Sequence, residues 1–179
     1  MEELLLESYF NYEMAKVKVK VIRDHSEVNF LGNRFGPFVK GQDVELPRAL
    51  ARLLADQGIT EYPFPTISLD DIRKRHYQEI SNKIELKKIE DDFYLQAKEL
   101  ILLAQKNVIK DSPREIKRLL DEICLKRLEK IFRNVLYVED VKKINQLMAY
   151  EERYLFMILR DLVKNWREDV LNNAFMKKI

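Results

Sequence analysis

The longest amphipathic pattern in the chain covers residues 112–135. Its apolar residues recur at intervals of three and four, which is the spacing of one face of an α-helix. Ser112 suits the N-cap position, and Glu115 three residues later completes a capping box. Charged residues, Arg127 and Lys130 among them, cover the other side. The pattern predicts a helix of about six turns, whose wide apolar stripe needs neighbours on more than one side.

Further helices are predicted around this one in the second half of the chain. In chain order, helices are predicted at 68–86, 91–108 and 150–172, and a connection is predicted at 136–143. Ser68 or Asp70 is the expected N-cap of the first, and Ile80 and Ile84 lie on its apolar face. Residues 173–179 are expected to form a frayed tail. The second half is therefore predicted to be a bundle of four or five helices.

An alternating pattern of valine and lysine marks a strand at Lys16–Ile22. Because successive side chains point to opposite faces of a sheet, the valines are expected to face inward and the lysines to face water. Short strands are also predicted around Val28–Phe30 and Val44–Leu46, with a tight turn at Gly32–Asn33. These elements predict a small module of three or four strands.

One helix completes this strand-rich module. Pro47 opens it at a position where a missing N–H is tolerated, and Gly58 is well placed as its C-terminal cap. The expected buried face consists of Leu50, Leu53 and Leu54.

The two halves of the chain differ in structure class and meet at Thr60–Ser68, which holds two prolines within three residues. The expected fold is α+β, mainly α. A small strand-rich domain spans 1–62, a linker spans 63–68, and a helical bundle spans 69–179. The first domain includes an apolar segment at Glu2–Tyr12, which predicts a short helix.

The composition restricts the class of protein. Hydrophobic residues make up 46% of the chain and charged residues 35%, which excludes disorder and indicates a soluble globular protein. The net charge of +2 is too small to indicate a general polyanion-binding protein. Cys124 has no second cysteine to pair with, no signal-like segment follows Met1, and no apolar run approaches the roughly 20 residues that cross a bilayer. These features favour an intracellular protein.

Residues with catalytic or metal-binding spacing are not found in the sequence. His25 and His76 lie in different predicted domains, so no zinc site is expected. The four glycines do not form a phosphate-binding loop. Paired acids such as Glu151–Glu152 stand near helix starts, where they favour the helix dipole, and Cys124 lies on an apolar stripe. We therefore predict a non-enzyme with no metal and no cofactor.

Two clusters of basic residues are candidates for contact with a DNA backbone. They lie in the first strand and in the first helix of the bundle, and comprise Lys16, Lys18, Lys20, Arg73, Lys74 and Arg75. Lysines also protect sheet edges, and acids lie close to the second cluster, so a solvated surface is the simpler interpretation. A nucleic-acid-binding adaptor stays as the alternative function.

One stretch of the small domain resembles a known family. Residues 35–59, FGPFVKGQDVELPRALARLLADQGI, combine an aromatic strand, a Lys-Gly turn, a short apolar strand and a leucine-bearing helix opened by proline. The match is carried by Phe38, Lys40, Gly41, Val44, Leu46, Pro47, Leu50, Ala51, Leu54 and Gly58. A second match is Asp92-Phe93-Tyr94, which leads into an apolar helix. With a small strand-rich module before a helical bundle, the chain resembles an archaeal subunit of the GINS complex. It departs from that family at Arg48–Ala49, where relatives often carry a bulkier apolar residue.

The resemblance implies a non-catalytic scaffold at DNA replication forks. GINS subunits assemble into tetramers through their helical domains, here with a GINS subunit of opposite domain order, two of each. The tetramer binds the MCM replicative helicase and a RecJ-like protein, at the chromosome in the cytoplasm of a prokaryote, and DNA is contacted weakly or indirectly. Candidates for the core or the subunit interface are Phe93, Leu100, Leu120, Phe132, Leu155 and Trp166. Their spacing alone does not separate these two roles.

Overall fold

The computed structural model describes residues 2–137 and 140–171, with side chains from residue 5 onward. Its elements are, in chain order, α1 Glu2–Met14, β1 Lys16–Lys20, β2 Val28–Phe30, β3 Asn33–Phe35, β4 Asp43–Pro47, α2 Arg48–Asp56, α3 Leu69–Ser81, α4 Phe93–Gln105, α5 Pro113–Tyr137, α6 Val141–Asn145 and α7 Tyr150–Leu171. Among the described residues, strands occur only in the first part of the chain, and helices dominate the rest. The predicted fold class, α+β and mainly α, is confirmed.

The small module is built on an antiparallel pair formed by β1 and β4. Their register places Lys18 opposite Glu45 and Lys20 opposite Asp43. Strands β2 and β3 form a separate antiparallel hairpin, and α2 packs against β1 and β4. The buried core of this module consists of Val19, Val21, Phe38, Leu46, Leu50, Ala51, Leu54 and Ile59.

The helix of the small module differs in two details from its sequence prediction. Pro47 ends β4 with an extended backbone, φ −52° and ψ 136°, and the helix begins one residue later. Leu53, which was expected to be buried, is 52% exposed. The reason is that Leu50, Ala51 and Leu54 already occupy the side of α2 that packs into the core.

The turn of the β2–β3 hairpin lies one residue earlier than predicted. Leu31 and Gly32 are its central residues, with φ of 51° and 80°, and Asn33 already pairs with Phe30. Two-residue hairpin loops of this kind need a positive φ at both central positions. Glycine adopts that conformation freely, whereas a leucine does so at an energetic cost. The register of the two strands, and not residue preference, therefore sets the position of this turn.

Helix α3 begins as predicted and ends earlier. The hydroxyl of Ser68 accepts from the backbone N–H of Asp71 at 3.3 Å, so Ser68 is confirmed as the N-cap, and the Asp71 carboxylate accepts from the backbone N–H of Ser68 at 3.0 Å, which completes a capping box. The helix stops at Ser81 because the side-chain carbonyl of Asn82 accepts from two backbone N–H groups ahead, at 3.2 and 2.9 Å. Ile84 consequently lies outside the helix, and both Ile80 and Ile84 are exposed, which contradicts their predicted place on the apolar face.

Helix α5 lies at the centre of the helical part and packs against α3, α4 and α7. The prediction that this helix needs neighbours on more than one side is confirmed. One buried cluster surrounds its first half, and consists of Leu69, Ile72, Ile89, Phe93, Tyr94, Ala97, Leu100, Ala104, Ile116, Leu119, Ile123 and Ala149. A second surrounds its later half, and consists of Leu86, Ile131, Val135, Ile144, Met148 and Phe156.

Helix α1 packs against α2 of the small module and against α7 of the helical part. The frayed tail predicted at 173–179 and the helix end predicted at Asn172 lie outside the described residues. Among the described residues, none of the helices has the length and apolar character needed to cross a membrane.

Candidate interaction surface

A groove of about 740 Å³ runs between α5 and α7 on the outside of the helical part. Five apolar side chains that line it define what we call the α5–α7 face: Leu125, Leu128, Phe132, Leu155 and Leu159. Phe132 is 45% exposed, and only Leu159 of the five is less than about one-third exposed. Contiguous exposed apolar side chains of this kind mark interaction sites more often than scattered ones do.

In the later half of α5, two charged side chains face the protein interior. Arg127 is 0% exposed and Lys130 is 1% exposed, whereas Leu128 and Phe132 face outward. This contradicts the prediction for Arg127 and Lys130, which were expected on the outside of α5, whereas most of its other charged residues are exposed as predicted. The physical reason is a buried ion-pair cluster formed by Glu79, Arg127, Lys130 and Glu152.

Arg127 uses all five N–H donors of its guanidinium inside this cluster. Its Nε and Nη2 donate to Glu152 at 2.5 and 2.8 Å, and its Nη1 donates to Glu79 at 2.7 Å. The backbone carbonyls of Lys87 and Leu147 accept the remaining two bonds, at 2.9 and 3.0 Å. Burial alone would lower the pKa of Arg127, but the hydrogen bonds and negative charge of Glu152 raise it.

The remaining members complete the cluster. Lys130 pairs with Glu79 and also donates to its backbone carbonyl at 3.1 Å. Glu152 accepts from the Tyr94 hydroxyl at 2.6 Å and from the backbone N–H of Ala149 at 3.1 Å. Two cations thus face two carboxylates in a site where unpaired charges are costly. This cluster ties α3, α4, α5 and α7 together and fixes which side of α5 is exposed.

At one end, the groove continues into a cavity of about 380 Å³. Leu125, Leu128 and Leu155 line both, so the two form one continuous surface. This end is also lined by Tyr94, Lys98, Leu120, Cys124, Ile131, Glu151 and Glu152. We refer to it as the Glu151 end of the groove.

One carboxylate oxygen at this end, Oε2 of Glu151, has no hydrogen-bond partner among the described residues. This oxygen is buried. Burial raises the pKa of the Glu151 carboxyl, and a hydrogen bond from its own backbone N–H and the positive charge of Lys98 only partly oppose that shift. A buried carboxylate oxygen without a donor is unfavourable in the isolated chain.

The structure separates the six residues that sequence spacing had left as core or interface. Phe93 and Leu100 belong to the buried core, with 2% and 5% exposure. Leu120 is half-buried and lines the Glu151 end of the groove. The other three lie outside: Phe132 and Leu155 on the α5–α7 face, and Trp166 further along α7 at 62% exposure.

The small-domain residues that carried the family resemblance support the fold. Phe38, Leu46, Pro47, Leu50 and Leu54 are buried. A second group shapes turns: Lys40 and Gly41 form one after the β2–β3 hairpin, and Gly58 follows α2 with φ of 68°. The backbone N–H of Lys40 donates to Asp24 at 2.6 Å, and its side chain is exposed.

Both basic clusters proposed for DNA contact face carboxylates. Each lysine of β1 has an acidic neighbour on β4, since Lys18 stands opposite Glu45 and Lys20 opposite Asp43, while Lys16 lies 3.9 Å from Glu45. In α3, each basic residue is paired: Arg73 with Asp70 and Glu115, Lys74 with Asp71, and Arg75 with Glu90. These acids reduce the positive field that a phosphate backbone would meet.

A second buried ion pair joins the small module to the helical part. Arg48 Nη1 lies 2.6 Å from Glu99 Oε2, and the Tyr12 hydroxyl donates to the same oxygen at 2.6 Å. The Arg48 guanidinium also lies over the Tyr12 ring, at 4.6 Å from its centroid. Burial raises the pKa of the Tyr12 phenol, and the hydrogen bond to Glu99 adds to the shift. In the sequence, Arg48 stands out only as a departure from the family pattern, because its partner on α4 is 51 residues away.

The predicted linker is held against α4. The side-chain carbonyl of Gln96 accepts from the backbone N–H groups of Thr66 and Ile67 at 2.9 and 3.2 Å, and from the Thr66 hydroxyl at 2.6 Å. At the other end of α4, an ion pair between Lys106 and Asp56 joins this helix to the end of α2. The two parts of the chain are therefore connected by polar contacts as well as by α1.

The described residues contain no group of three or more His, Cys, Asp or Glu side chains placed to hold a metal ion. Cys124 is half-buried at the Glu151 end of the groove, and burial raises the pKa of its thiol. In comparisons with known proteins, no protein-family model matches this chain and no curated protein matches it in sequence.

Proposed function

We propose that this chain is a non-catalytic scaffold subunit of the GINS complex, which assembles into a tetramer and supports the MCM replicative helicase at DNA replication forks. The observation that carries the proposal is the α5–α7 face. It is a contiguous apolar surface on the helical part, which is the part through which GINS subunits associate. The order of the parts, strand-rich module first and helical bundle second, is consistent with the same family.

The exposed side of α5 is determined by strong interactions. Turning α5 to hide Leu128 and Phe132 would bring Arg127 and Lys130 out of their cluster and leave Glu79 and Glu152 buried without cations. Breaking such buried pairs costs about 3–5 kcal/mol. The isolated chain therefore keeps the α5–α7 face exposed, and a partner subunit is the means of covering it.

The proposal is tested by solution mass from light scattering, for this chain alone and co-expressed with the GINS subunit of opposite domain order from the same genome. We expect a mixed tetramer. Phe132→Asp places a charge on the face and is expected to abolish the tetramer, while the chain still folds because the side chain is half-exposed. Tyr77→Asp, at an exposed aromatic on α3 outside the face, is the matched control and should leave the tetramer intact.

A chain that remains monomeric in the presence of that subunit would contradict the proposal. If the tetramer still forms with Phe132→Asp, the proposed family remains, but the subunit interface lies outside the α5–α7 face. Co-purification then measures binding of the MCM helicase and of a RecJ-like protein to the assembled tetramer. The same measurement is made with the other subunit alone, without this chain. Loss of helicase binding when this chain is omitted is the expected result for a scaffold.

A further inference from the structure

The Glu151 end of the groove combines two features that indicate the chemistry of what binds there. The surface is apolar along α5, from Leu120 to Phe132, and it holds one buried carboxylate oxygen without a partner, Glu151 Oε2. Leu120 and Phe132 are separated by about 18 Å along the helix axis, at 1.5 Å per residue. That length accommodates about three turns of a helix from another chain.

The charges around Glu151 favour a cation at this position. Glu152 and Asp92 add negative charge nearby, and Lys98 supplies positive charge without coming close enough to form an ion pair. Glu152 is already occupied by Arg127 and Tyr94. Glu151, by contrast, keeps one oxygen, Oε2, that accepts no hydrogen bond within the described residues.

We propose that this end of the groove receives an amphipathic helix of the partner subunit, and that a lysine or arginine on that helix pairs with Glu151. The inference rests on the proposed function, which supplies a partner, and adds the chemistry of the partner's contact. Apolar residues of the incoming helix would cover the leucines of α5, while its single cation would neutralise the carboxylate. A cation at that position also gives the interface a fixed register, since an apolar surface alone does not specify one.

Cys124 provides a direct measurement of occupancy at this site. It is the only cysteine of the chain, and it lines the same cavity as Glu151. The rate of its reaction with a maleimide is measured for the free chain and for the complex with the GINS subunit of opposite domain order. We expect the complex to slow the reaction at least tenfold. A reporter cysteine at Ser26, an exposed residue of the small module, introduced in a Cys124→Ala background, should react at an unchanged rate.

The contribution of the charge is measured as the dissociation constant of that complex for variants at Glu151. Glu151→Lys is expected to weaken binding at least tenfold, and Glu151→Gln, which keeps the shape of the side chain, several-fold. Asp161→Lys is the matched control, because Asp161 is exposed on the same helix and lines neither the groove nor its Glu151 end. It should bind as the unaltered chain does.

The outcomes separate this inference from the proposed function. If the complex forms while Cys124 reacts as fast as in the free chain, the inference is wrong and the proposed function still stands. The same holds if neither Glu151 variant changes the dissociation constant of the complex. If Cys124 is instead protected in the chain alone as its concentration rises, a second copy occupies the groove and the inferred partner helix is wrong. The absence of any complex contradicts both.

Discussion

Arg127 determines the exposed surface of this protein although it is itself completely buried. Its guanidinium brings five donors into the interior, and two carboxylates and two backbone carbonyls accept all of them. A lysine at the same place could supply only three donors and would not match the planar carboxylate of Glu152 on two sides. The residue therefore acts as a positioning element for α5, whose outward side carries the leucines of the α5–α7 face.

Replacement of Arg127 by methionine should destabilise the free chain strongly. Arg127→Met keeps most of the volume but leaves Glu152 buried without a cation, so we expect a loss of about 3–5 kcal/mol in the free energy of unfolding. Urea unfolding followed by circular dichroism measures it. Lys126→Met, at the neighbouring position, removes only a surface pair with Glu129 and should change stability by less than about 0.5 kcal/mol. Equal effects of the two substitutions would contradict the role assigned to the cluster.

The carboxyl group of Glu151 should make the stability of the chain depend on pH. Because burial raises its pKa in the folded state, the folded chain binds this proton more tightly than the unfolded chain does. Its contribution to stability is complete below the ordinary value of 4.5 and is lost as the pH rises through the raised pKa. Glu151→Gln should therefore gain stability relative to the unaltered chain between pH 4 and pH 7.

The predicted quantity is the difference in the free energy of unfolding between the variant and the unaltered chain, so the titration of groups common to both cancels. Urea unfolding of both chains at pH 4 and pH 7 measures it, and Asp161→Asn on the same helix should show no such divergence. A stability difference for Glu151→Gln that is flat, or that shrinks toward pH 7, would show that Glu151 is well solvated in the free chain.

At the scale of single elements, local patterns specified where helices lie and failed to specify which side of α5 is buried. Ser68, one of two N-cap candidates, located the start of α3, and the spacing of apolar residues located α5 to within two residues of its observed end. Leu128 and Phe132 nevertheless continue the same spacing as Ile116 and Ile123, although only the latter pair is buried. The partners that draw Arg127 inward are on other helices, so no local signal reports them.

The turn of the β2–β3 hairpin offers a test in which only local backbone preference changes. Leu31 has φ of 51° and is 65% exposed, so Leu31→Asn should lose little burial and relieve the unfavourable conformation. We expect a gain of about 0.5–1 kcal/mol in the free energy of unfolding. Gly32→Ala should have the opposite effect, a loss of about 1 kcal/mol. A Cβ added at Gly32 would meet no atom within 4 Å, so the cause is the positive φ alone, which is unfavourable for alanine. A loss of stability for Leu31→Asn would mean that Leu31 makes a contact that outweighs its strain.

At the scale of the whole molecule, each of the three buried apolar clusters of the described residues lies within one part of the chain. The small module and the helical part are joined by polar contacts and by α1. Composition and pattern predicted the two parts and their order, because each part has its own periodicity. The contact between them could not be predicted, since it depends on Arg48 meeting Glu99 across 51 residues of sequence.

That contact makes the docking of the small module sensitive to a single substitution. Glu99→Leu leaves Arg48 buried without a counter-ion and removes the acceptor of the Tyr12 hydroxyl, so the module should detach more often. Exchange of the Thr66 and Ile67 amide hydrogens, which are bonded to α4, then reports the detached state by mass spectrometry. A loss of about 1.4 kcal/mol in docking would raise their exchange rate about tenfold.

The double variant Arg48→Leu/Glu99→Leu decides whether charge burial or lost shape causes the detachment. Replacing both members of a buried ion pair by apolar residues is often neutral, so slow exchange should return in the double variant. Glu168→Leu, which removes an exposed i,i+4 pair with Lys164, should leave exchange at the linker unchanged. If the double variant exchanges as fast as Glu99→Leu alone, the specific Arg48–Glu99 geometry holds the module in place. If none of the variants changes the exchange rate, α1 and the remaining contacts are sufficient for docking.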